Sequence, residues 1–285
     1  MQNTQQKEDL FFSIIIPTLN EERDLPKLLF DIEKQSYKEY EVIIVDGGSA
    51  DKTKTVFENY KKSGKLSLVF YTHAAKNVAA QRNFGSQKAG GQYLIFFDAD
   101  DRIPQGFLHK LHTGLDKTKV LLATTSLMAK ENQQTQIILV ELTNFMIDVL
   151  NILGKPFAPG FNIIIEKSLF ARLGGFDTTL KLAEDHDLVQ RARKIGVILK
   201  IFRDIYLYPS FRRPEKIGYL EFLRQYTIAG IYTLMGEPIK KDLFKYPMGG
   251  HVFDGSGNKE EGRNKLSQNI ARRAKSIRKY IELPF

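Results

Sequence analysis

The first hundred residues alternate between strand-like and helix-like segments, and this alternation limits the possible folds more than any other feature. Short apolar runs, typical of buried strands, occupy residues 11–17, 40–46, 65–72 and 92–98. Amphipathic segments typical of surface helices separate them, at residues 22–35, 49–64 and 77–90. Such a βαβαβαβ run predicts an α/β fold with a mostly parallel, doubly wound sheet and right-handed crossovers.

Later segments predict one large domain with a C-terminal extension. The α/β domain is expected to cover residues 1–246, and residues 247–285 are expected to form a glycine-rich loop and a basic helix. Within the domain, the helix at residues 49–64 is expected to begin at Ser49 or Asp51 and to end at Gly64, since these residue types favour such positions.

Charge and composition indicate the kind of partner. The chain carries a formal net charge of +9, and residues 259–285 hold eight Lys or Arg against three Glu. A solvated helix face, an anionic membrane surface and a nucleic acid are all compatible with that excess. Only Tyr280 and Phe285 could stack on bases there, so nucleic acid is not expected as a partner.

The compartment is predicted from two further features. There is no cysteine, which excludes disulfides and thiolate metal sites. The polar first twelve residues lack the apolar stretch of a signal peptide, so we expect a cytoplasmic protein.

One apolar segment leaves two interpretations open. Residues 137–153 are mostly apolar but are interrupted by Glu141, Asn144 and Asp148, which share one side of a helix. A helix packed on the core is favoured, and a helix lying in a membrane interface is the alternative. The second interpretation would place a cytoplasmic protein peripherally at the inner face of the membrane.

A cluster of acids follows the last strand of the alternating run. Residues 93–97 are apolar or aromatic, and Asp98, Asp100 and Asp101 come directly after them. In open α/β sheets, ligands bind at the carboxyl ends of the strands. The ends of three predicted strands are therefore expected to gather these side chains around one crevice: Thr18, Glu21, Asp46, Asp98 and Asp100.

The chemistry of this crevice points to a cation and a diphosphate. Neither G-x-G-x-x-G nor G-x-x-x-x-G-K-[ST] follows any of these strands, which excludes the usual dinucleotide and P-loop sites. Neighbouring carboxylates repel one another unless positive charge lies between them. Mg²⁺ or Mn²⁺ is commonly held by one or two carboxylates together with substrate phosphates.

Four segments together resemble the inverting glycosyltransferases of family 2, which have the GT-A fold. They are SIIIPTLNEE, EVIIVDGGSADKT, QRNFGSQKAGGQYLIFFDADDRIP with its D-x-D motif, and GGFDTTLKLAEDHDLVQRARKIG. The resemblance covers about residues 12–200. It implies a donor-binding half at about residues 11–101 and an acceptor half at about 102–246.

The resemblance also implies a set of nucleotide-sugar-binding residues. These are Pro17, Thr18, Glu21, Asp46, Arg82, Asp98, Ala99 and Asp100. In such enzymes the position of Asp46 hydrogen-bonds the base, typically uracil, and that of Arg82 contacts the diphosphate or the aspartates. The position of Asp98 contacts the ribose or the sugar. Structural roles compete with these: a turn for Asp46, a solvated helix face for Arg82 and a strand-end cap for Asp98.

Metal and catalytic residues follow from the same resemblance. Asp100 matches the metal ligand, and Asp185 matches the catalytic base. His251, in the predicted glycine-rich loop, could join the metal or close over the donor. A competing explanation for Asp185 is that acids in the first turn of a helix are favoured by the helix dipole.

The expected function is therefore metal-dependent, inverting transfer of a sugar from a nucleotide-sugar, typically a UDP-sugar, to an acceptor hydroxyl. A carboxylate would deprotonate the hydroxyl while Mg²⁺ or Mn²⁺ stabilises the leaving diphosphate. The acceptor is expected to be a glycan or a lipid-linked molecule. Aromatic residues between 218 and 235 are interpreted as core or interface rather than as an acceptor platform. Alternatives are a nucleotidyltransferase acting on a sugar phosphate and a non-catalytic nucleotide-sugar-binding protein.

Overall fold

A computed structural model describes residues 10–73, 77–131, 133–235 and 239 of the chain. Within these residues, seven strands run over Phe12–Thr18 (β1), Tyr40–Asp46 (β2), Leu68–Thr72 (β3), Tyr93–Phe96 (β4), Leu122–Leu127 (β5), Ile163–Glu166 (β6) and Lys200–Leu207 (β7). The same part of the chain contains nine α-helices, over Leu25–Glu33 (α1), Thr53–Ser63 (α2), Val78–Lys88 (α3), Phe107–Thr118 (α4), Gln134–Ile152 (α5), Lys167–Arg172 (α6), Glu184–Lys194 (α7), Arg212–Ile217 (α8) and Tyr219–Met235 (α9).

The seven strands form one sheet in the order β3-β2-β1-β4-β6-β5-β7. β1 lies between β2 and β4 and is parallel to both, with Phe12 paired to Tyr40 on one side and to Tyr93 on the other. β6 is antiparallel to both of its neighbours, β4 and β5. The mostly parallel, doubly wound sheet predicted from the sequence is therefore confirmed, with one reversed strand, β6, inside it.

Both faces of the sheet are buried, which explains the nearly uninterrupted apolar strands. Ile14 and Ile16 of β1 lie in one apolar cluster with α1, α2, α4 and α5, and Ile15 lies in a second cluster with α3, α6 and α7. Each of these isoleucines is fully buried. Burial of one such side chain stabilises the fold by about 1.5–3 kcal/mol, so the central strands are fixed by burial on both faces.

The start of α2 differs from the prediction. The residue before the helix is Lys52, which makes no side-chain cap, so neither Ser49 nor Asp51 is the N-cap. Asp51 instead accepts a hydrogen bond from the Thr53 backbone at 3.0 Å, and Ser49 donates to Asp46 at 2.5 Å. The predicted end is correct, because Gly64 adopts the left-handed conformation at φ 66°.

α5 packs on the sheet through one of its faces. Val140 and Ile147 are buried, and the Asn144 amide donates to and accepts from the backbone of Leu127 in β5, at 2.8 and 2.9 Å. This face agrees with the core-helix interpretation of residues 137–153. By length and hydropathy alone, the helix would also suffice to cross a membrane, and few of its residues are buried.

The described residues belong to one compact unit, Met1–Phe253. The glycine-rich loop and basic helix predicted for residues 247–285, including His251, lie outside the described residues. The division at residue 246 therefore stays a prediction.

Candidate active site

A cleft of about 700 Å³ opens beside the carboxyl ends of β1 and β4. Its polar part is lined by residues from both strand ends, from α3, from the start of α7 and from α8: Thr18, Glu21, Arg82, Asp98, Asp100, Asp101, Glu184, Asp185, His186, Arg212 and Arg213. Pro17 and Ala99 line the same cleft. Eight of the nine described residues predicted for the site therefore lie together, and Asp46 is next to them rather than on the cleft wall.

Arg82 connects the two halves of the cleft. Its side chain is only 3% exposed; Nη2 lies 2.8 Å from Asp98 Oδ1, and Nη1 lies 3.2 Å from Glu184 Oε1. The solvated-face alternative for Arg82 is therefore wrong. Its Nε has no hydrogen-bond partner among the described residues. One buried guanidinium thus holds the end of β4 against the start of α7, and Arg82 itself is 102 positions from Glu184 in sequence.

Gly160 allows this close packing. A Cβ at this position would lie 2.6 Å from Arg82 Nη1, closer than a carbon and a nitrogen can approach. The Gly160 backbone N–H also donates to Asp185 Oδ2 at 2.7 Å. The loop before β6 therefore positions both the central arginine and the predicted base.

Asp185 lies in the first turn of α7 with its carboxylate on the cleft wall. Ala183, before the helix, adopts the left-handed region at φ 64°, which turns the chain into the cleft before α7 begins. Asp187, two residues later, faces elsewhere and pairs with Arg191 at 2.7 Å. Of these two acids of the first turn, Asp185 is the one that lines the cleft and can reach a bound substrate.

His186 follows Asp185 and also lines the cleft. Its ring packs edge-on against Phe157, with 4.1 Å between the ring centres. Burial lowers the pKa of His186, which favours the neutral imidazole over the charged form.

Arg212 is a residue of the cleft that sequence reasoning missed. It is the first residue of α8, and its guanidinium contacts three carboxylates. The distances are 3.0 Å to Glu21 Oε2, 3.0 Å to Asp24 Oδ2 and 2.7 Å to Asp100 Oδ2. The only signal in the sequence is a pair of arginines in SFRRPE, a pattern with no distinctive spacing.

Burial changes the protonation of two acids in the cleft. Burial raises the pKa of Glu21 to about 8, even though Arg212 donates a hydrogen bond to it. Burial, and next the neighbouring Asp185 carboxylate, raise the pKa of Glu184 to about 7. Both acids can therefore take up protons near neutral pH, which reduces the repulsion among the carboxylates of the cleft.

The carboxylates of Asp46 and Asp101 accept hydrogen bonds from nearby groups of the protein. The Asp46 carboxylate accepts from the backbone N–H groups of Gly48 and Ser49 and from the hydroxyls of Ser49 and Thr18. Asp101 is buried and accepts from the Asp98 backbone at 2.8 Å. Both residues hold the turns that follow β2 and β4, so they fix the two strand ends that face the cleft.

The residues of the cleft fit a divalent cation bound together with a diphosphate. Six carboxyl groups and three guanidinium groups line the cleft, which leaves it short of positive charge when the acids are ionised. Among the described residues, no three acidic or histidine side chains are grouped to hold an ion alone. Oxygen ligands from one or two carboxylates, completed by phosphates, are the usual Mg²⁺ environment. Asp100, the predicted metal ligand, lines the cleft together with Asp98.

The remaining wall of the cleft is apolar. It is formed by α5 and α9, through Leu139, Leu142, Met146, Leu150, Phe222, Leu223 and Tyr226. The sequence favours a core or interface role for the aromatic residues of α9. Phe222 and Tyr226 instead line the cleft, so for these two residues that interpretation is incomplete.

A protein-family model matches the sequence of this chain. The family model described as glycosyl transferase family 2 matches residues 13–174, more than half of the chain. A curated relative from Campylobacter jejuni, GalNAc(5)-diNAcBac-PP-undecaprenol beta-1,3-glucosyltransferase, is 33% identical over 100 residues, which are 35% of this chain and 32% of the relative. The chain matches only about a third of the length of such curated relatives.

Two solved structures share the fold. TarS residues 1–349 from S. aureus, in complex with UDP-GlcNAc, aligns with a TM-score of 0.60 at 24% identity, over 70% of this chain and 58% of TarS. The mannosyltransferase PcManGT from Pyrobaculum calidifontis, in complex with GDP-Man and Mn²⁺, aligns with a TM-score of 0.59 at 21% identity, over 71% and 57% of the two chains. These likenesses establish the GT-A-like architecture of the sheet and its helices.

Proposed function

Because this chain belongs to glycosyl transferase family 2, we propose that it transfers a sugar from a nucleotide-sugar to an acceptor hydroxyl and inverts the anomeric configuration. One observation carries the proposal. Buried Arg82 joins Asp98 of the D-x-D motif to Glu184, the residue before Asp185, at 2.8 and 3.2 Å. The donor-binding end of β4 and the predicted base therefore face the same cleft.

The donor is a UDP-sugar, bound over the ends of β1, β2 and β4. Family resemblance supports this choice, and so does the complex of TarS, a protein of the same fold, with UDP-GlcNAc. Thr18 and Glu21 would lie beside the nucleotide. The uracil would meet Asp46 if that carboxylate exchanged one of its present hydrogen bonds for the base N–H. Arg82 and Arg212 supply the positive charge that a diphosphate requires.

Asp185 acts as the base. The acceptor oxygen attacks the anomeric carbon, the bond from that carbon to the diphosphate oxygen breaks, and the hydroxyl proton passes to the Asp185 carboxylate. The Gly160 N–H holds one oxygen of that carboxylate in place. A single displacement of this kind inverts the anomeric centre and requires no covalent enzyme intermediate.

Asp100 and Asp98 would hold a divalent cation in the donor site, together with the diphosphate of the donor. When bound, Mn²⁺ or Mg²⁺ would stabilise the negative charge that develops on the leaving group. The Mn²⁺ in the PcManGT complex, a protein of the same fold, supports this part of the proposal, as does the excess of carboxyl groups in the cleft. His251 is proposed as an additional ligand from the sequence alone, since it lies outside the described residues.

The acceptor is a glycan or a lipid-linked molecule, and the enzyme acts in the cytoplasm at the inner face of the membrane. The name of the Campylobacter jejuni relative supports this, because that protein's substrate is linked to undecaprenol through a diphosphate. The exposed apolar side of α5 and the net charge of +9 support contact with an anionic bilayer.

The test is release of nucleoside diphosphate from a panel of UDP-, GDP- and dTDP-sugars, with a bacterial lipid extract as acceptor and the product anomer assigned by NMR. We expect release from one nucleotide family and an inverted product. Asp185→Asn should abolish transfer while keeping donor binding, whereas Asp187→Asn should keep both. Release of pyrophosphate from UTP with a sugar 1-phosphate would instead support the nucleotidyltransferase alternative.

A further inference from the structure

α5 presents three different faces, and two of them are apolar without contacting the sheet. Val140, Asn144 and Ile147 face the sheet, as described above. Leu139, Met146 and Leu150 lie on a second face and line the cleft. Ile138, Phe145 and Ile152 lie opposite the sheet and are 63%, 62% and 82% exposed. A helix needs only its sheet-facing stripe to be apolar for folding, so the other two faces require another explanation.

The two additional apolar faces are continuous. Leu142 and Met146 line the cleft and are also 44% and 40% exposed. The apolar cleft wall therefore reaches the outer surface of the protein along α5. On the other side of the cleft, Phe222, Leu223 and Tyr226 of α9 form the second wall.

We propose that the groove between α5 and α9 binds the hydrocarbon chain of the acceptor, and that the exposed face of α5 lies in the bilayer from which this chain enters. The inference rests on the proposed function and assigns an acceptor site to it. One end of the cleft holds Asp185 and the arginines, and the other end is apolar. That arrangement suits an amphiphile with its hydroxyl at the base and its chain between the two helices.

Charge at the margin of the exposed face favours a bilayer as the occupant. Lys155 follows α5 closely and is exposed, next to the strongly exposed Ile152 and Leu153. Of the acids on the helix, Asp148 pairs with Arg203 at 2.7 Å, and Glu141 is exposed. A basic side chain next to exposed apolar residues, as at Lys155, is typical of helices that lie in the interface of anionic membranes.

The absence of cysteine from the sequence permits a direct test of the groove. A Thr143→Cys variant carries a polarity-sensitive fluorophore in the cleft, and a Lys62→Cys variant carries it on α2, beside the opposite edge of the sheet. Farnesyl monophosphate is expected to shift the emission of the Thr143→Cys label to the blue and to leave the Lys62→Cys label unchanged. Isopentenyl monophosphate, with the same headgroup and a short chain, should give no shift. Equal responses to both compounds would overturn the groove assignment.

Vesicle flotation tests the exposed face. Vesicles of phosphatidylcholine and phosphatidylglycerol at 3:1 are expected to bind the full wild-type chain and to bind the Ile138→Ser/Phe145→Ser double variant about tenfold more weakly, because membrane binding scales with buried apolar area. Equal binding of the two proteins, or none, would contradict the proposal. Dimerisation in sedimentation that the double variant abolishes, without vesicle binding, would assign the face to a second copy of the chain.

Donor binding separates the failure of this inference from that of the proposed function. Stabilisation by UDP should be equal in the wild type and in the double variant, since both substitutions are on the exposed face of α5. If UDP stabilises both proteins but neither chain length nor vesicles have an effect, the groove assignment is wrong and the donor site stands. If UDP and other nucleotides stabilise neither, the proposed function itself is wrong.

Discussion

Nη2 of Arg212 lies 2.7 Å from Oδ2 of Asp100, and Nε of Arg212 donates to the same oxygen at 2.9 Å. The two residues are 112 positions apart in sequence. The same guanidinium reaches Glu21 and Asp24, so one positively charged side chain bridges three acids beside the ends of β1 and β4. In the free protein, Arg212 therefore supplies the positive charge that a bound cation would bring to Asp100.

Arg212→Gln should destabilise the protein. Breaking a buried ion pair costs about 3–5 kcal/mol, and because Arg212 is partly exposed we expect a loss of about 2–3 kcal/mol in the free energy of unfolding. Mn²⁺ should stabilise the variant more than the wild type, since the cation then meets uncompensated carboxylates. Urea unfolding followed by circular dichroism, with and without Mn²⁺, measures both effects.

Arg224→Gln is the matched control for this variant. Arg224 also pairs with an acid, Glu221 at 2.6 Å, but both side chains are largely exposed. Water and salt screen exposed pairs, so Arg224→Gln should have little effect on stability, with or without Mn²⁺. Equal losses in the two variants would show that the Arg212 cluster has no special role.

Gly160→Ala should disturb the cleft without removing any functional group. The new methyl would overlap Arg82 Nη1 and force the guanidinium away from Asp98 or Glu184. Overpacking of this kind typically costs about 1–3 kcal/mol of stability. We expect kcat to fall more than donor affinity, because the Gly160 N–H also holds the carboxylate of Asp185, the proposed base. Unfolding and steady-state kinetics check this. Unchanged stability and kcat would contradict the role given to the Arg82 bridge.

Glu21→Gln should remove part of the pH dependence of stability. The buried carboxyl has a pKa of about 8, against an ordinary value of 4.5, so the folded state binds a proton that the unfolded state lacks between these pH values. The free energy of unfolding should therefore decrease as pH rises through this window. Urea unfolding of both proteins from pH 6 to 9 should show a steeper decrease for the wild type. Parallel curves would mean that Glu21 is already ionised at pH 6.

The sequence predicts those parts of the fold that depend on local patterns. β1, β2 and β4 could be located because burial on both faces leaves an uninterrupted apolar run. The helix predicted at residues 77–90 has Asn77 as its N-cap, and the Asn77 side chain accepts a hydrogen bond from the Ala80 backbone N–H. The sequence does not predict β7, because the apolar residues of this strand alternate irregularly. The pairing of β7 with β5 also shifts register, between Thr125 and Ser126 of β5.

The residues of the candidate site also differ in how far local sequence patterns predict them. The places of Asp98, Asp100 and Asp185 on the cleft wall could be predicted because each lies in a recognisable motif, and their roles stay predictions. Arg212 and the contact between Gly160 and Asp185 could not, because they depend on where distant segments meet in three dimensions. The apolar wall was ambiguous because periodicity shows that a helix has an apolar face but not whether that face meets a core or a ligand.

The most direct test of the account is a thermal-shift panel of nucleotides and nucleotide-sugars, with and without Mn²⁺, on the wild type, Asp100→Asn and Asp116→Asn. Asp116 is exposed on α4 and serves as the matched control. A ligand at about 100 times its Kd adds about 2.7 kcal/mol of stability. We predict a Mn²⁺-dependent shift with uridine nucleotides that Asp100→Asn loses and Asp116→Asn keeps. No shift with any nucleotide, or a shift that survives in Asp100→Asn, would contradict the assignment of this cleft as a cation-assisted nucleotide-sugar site.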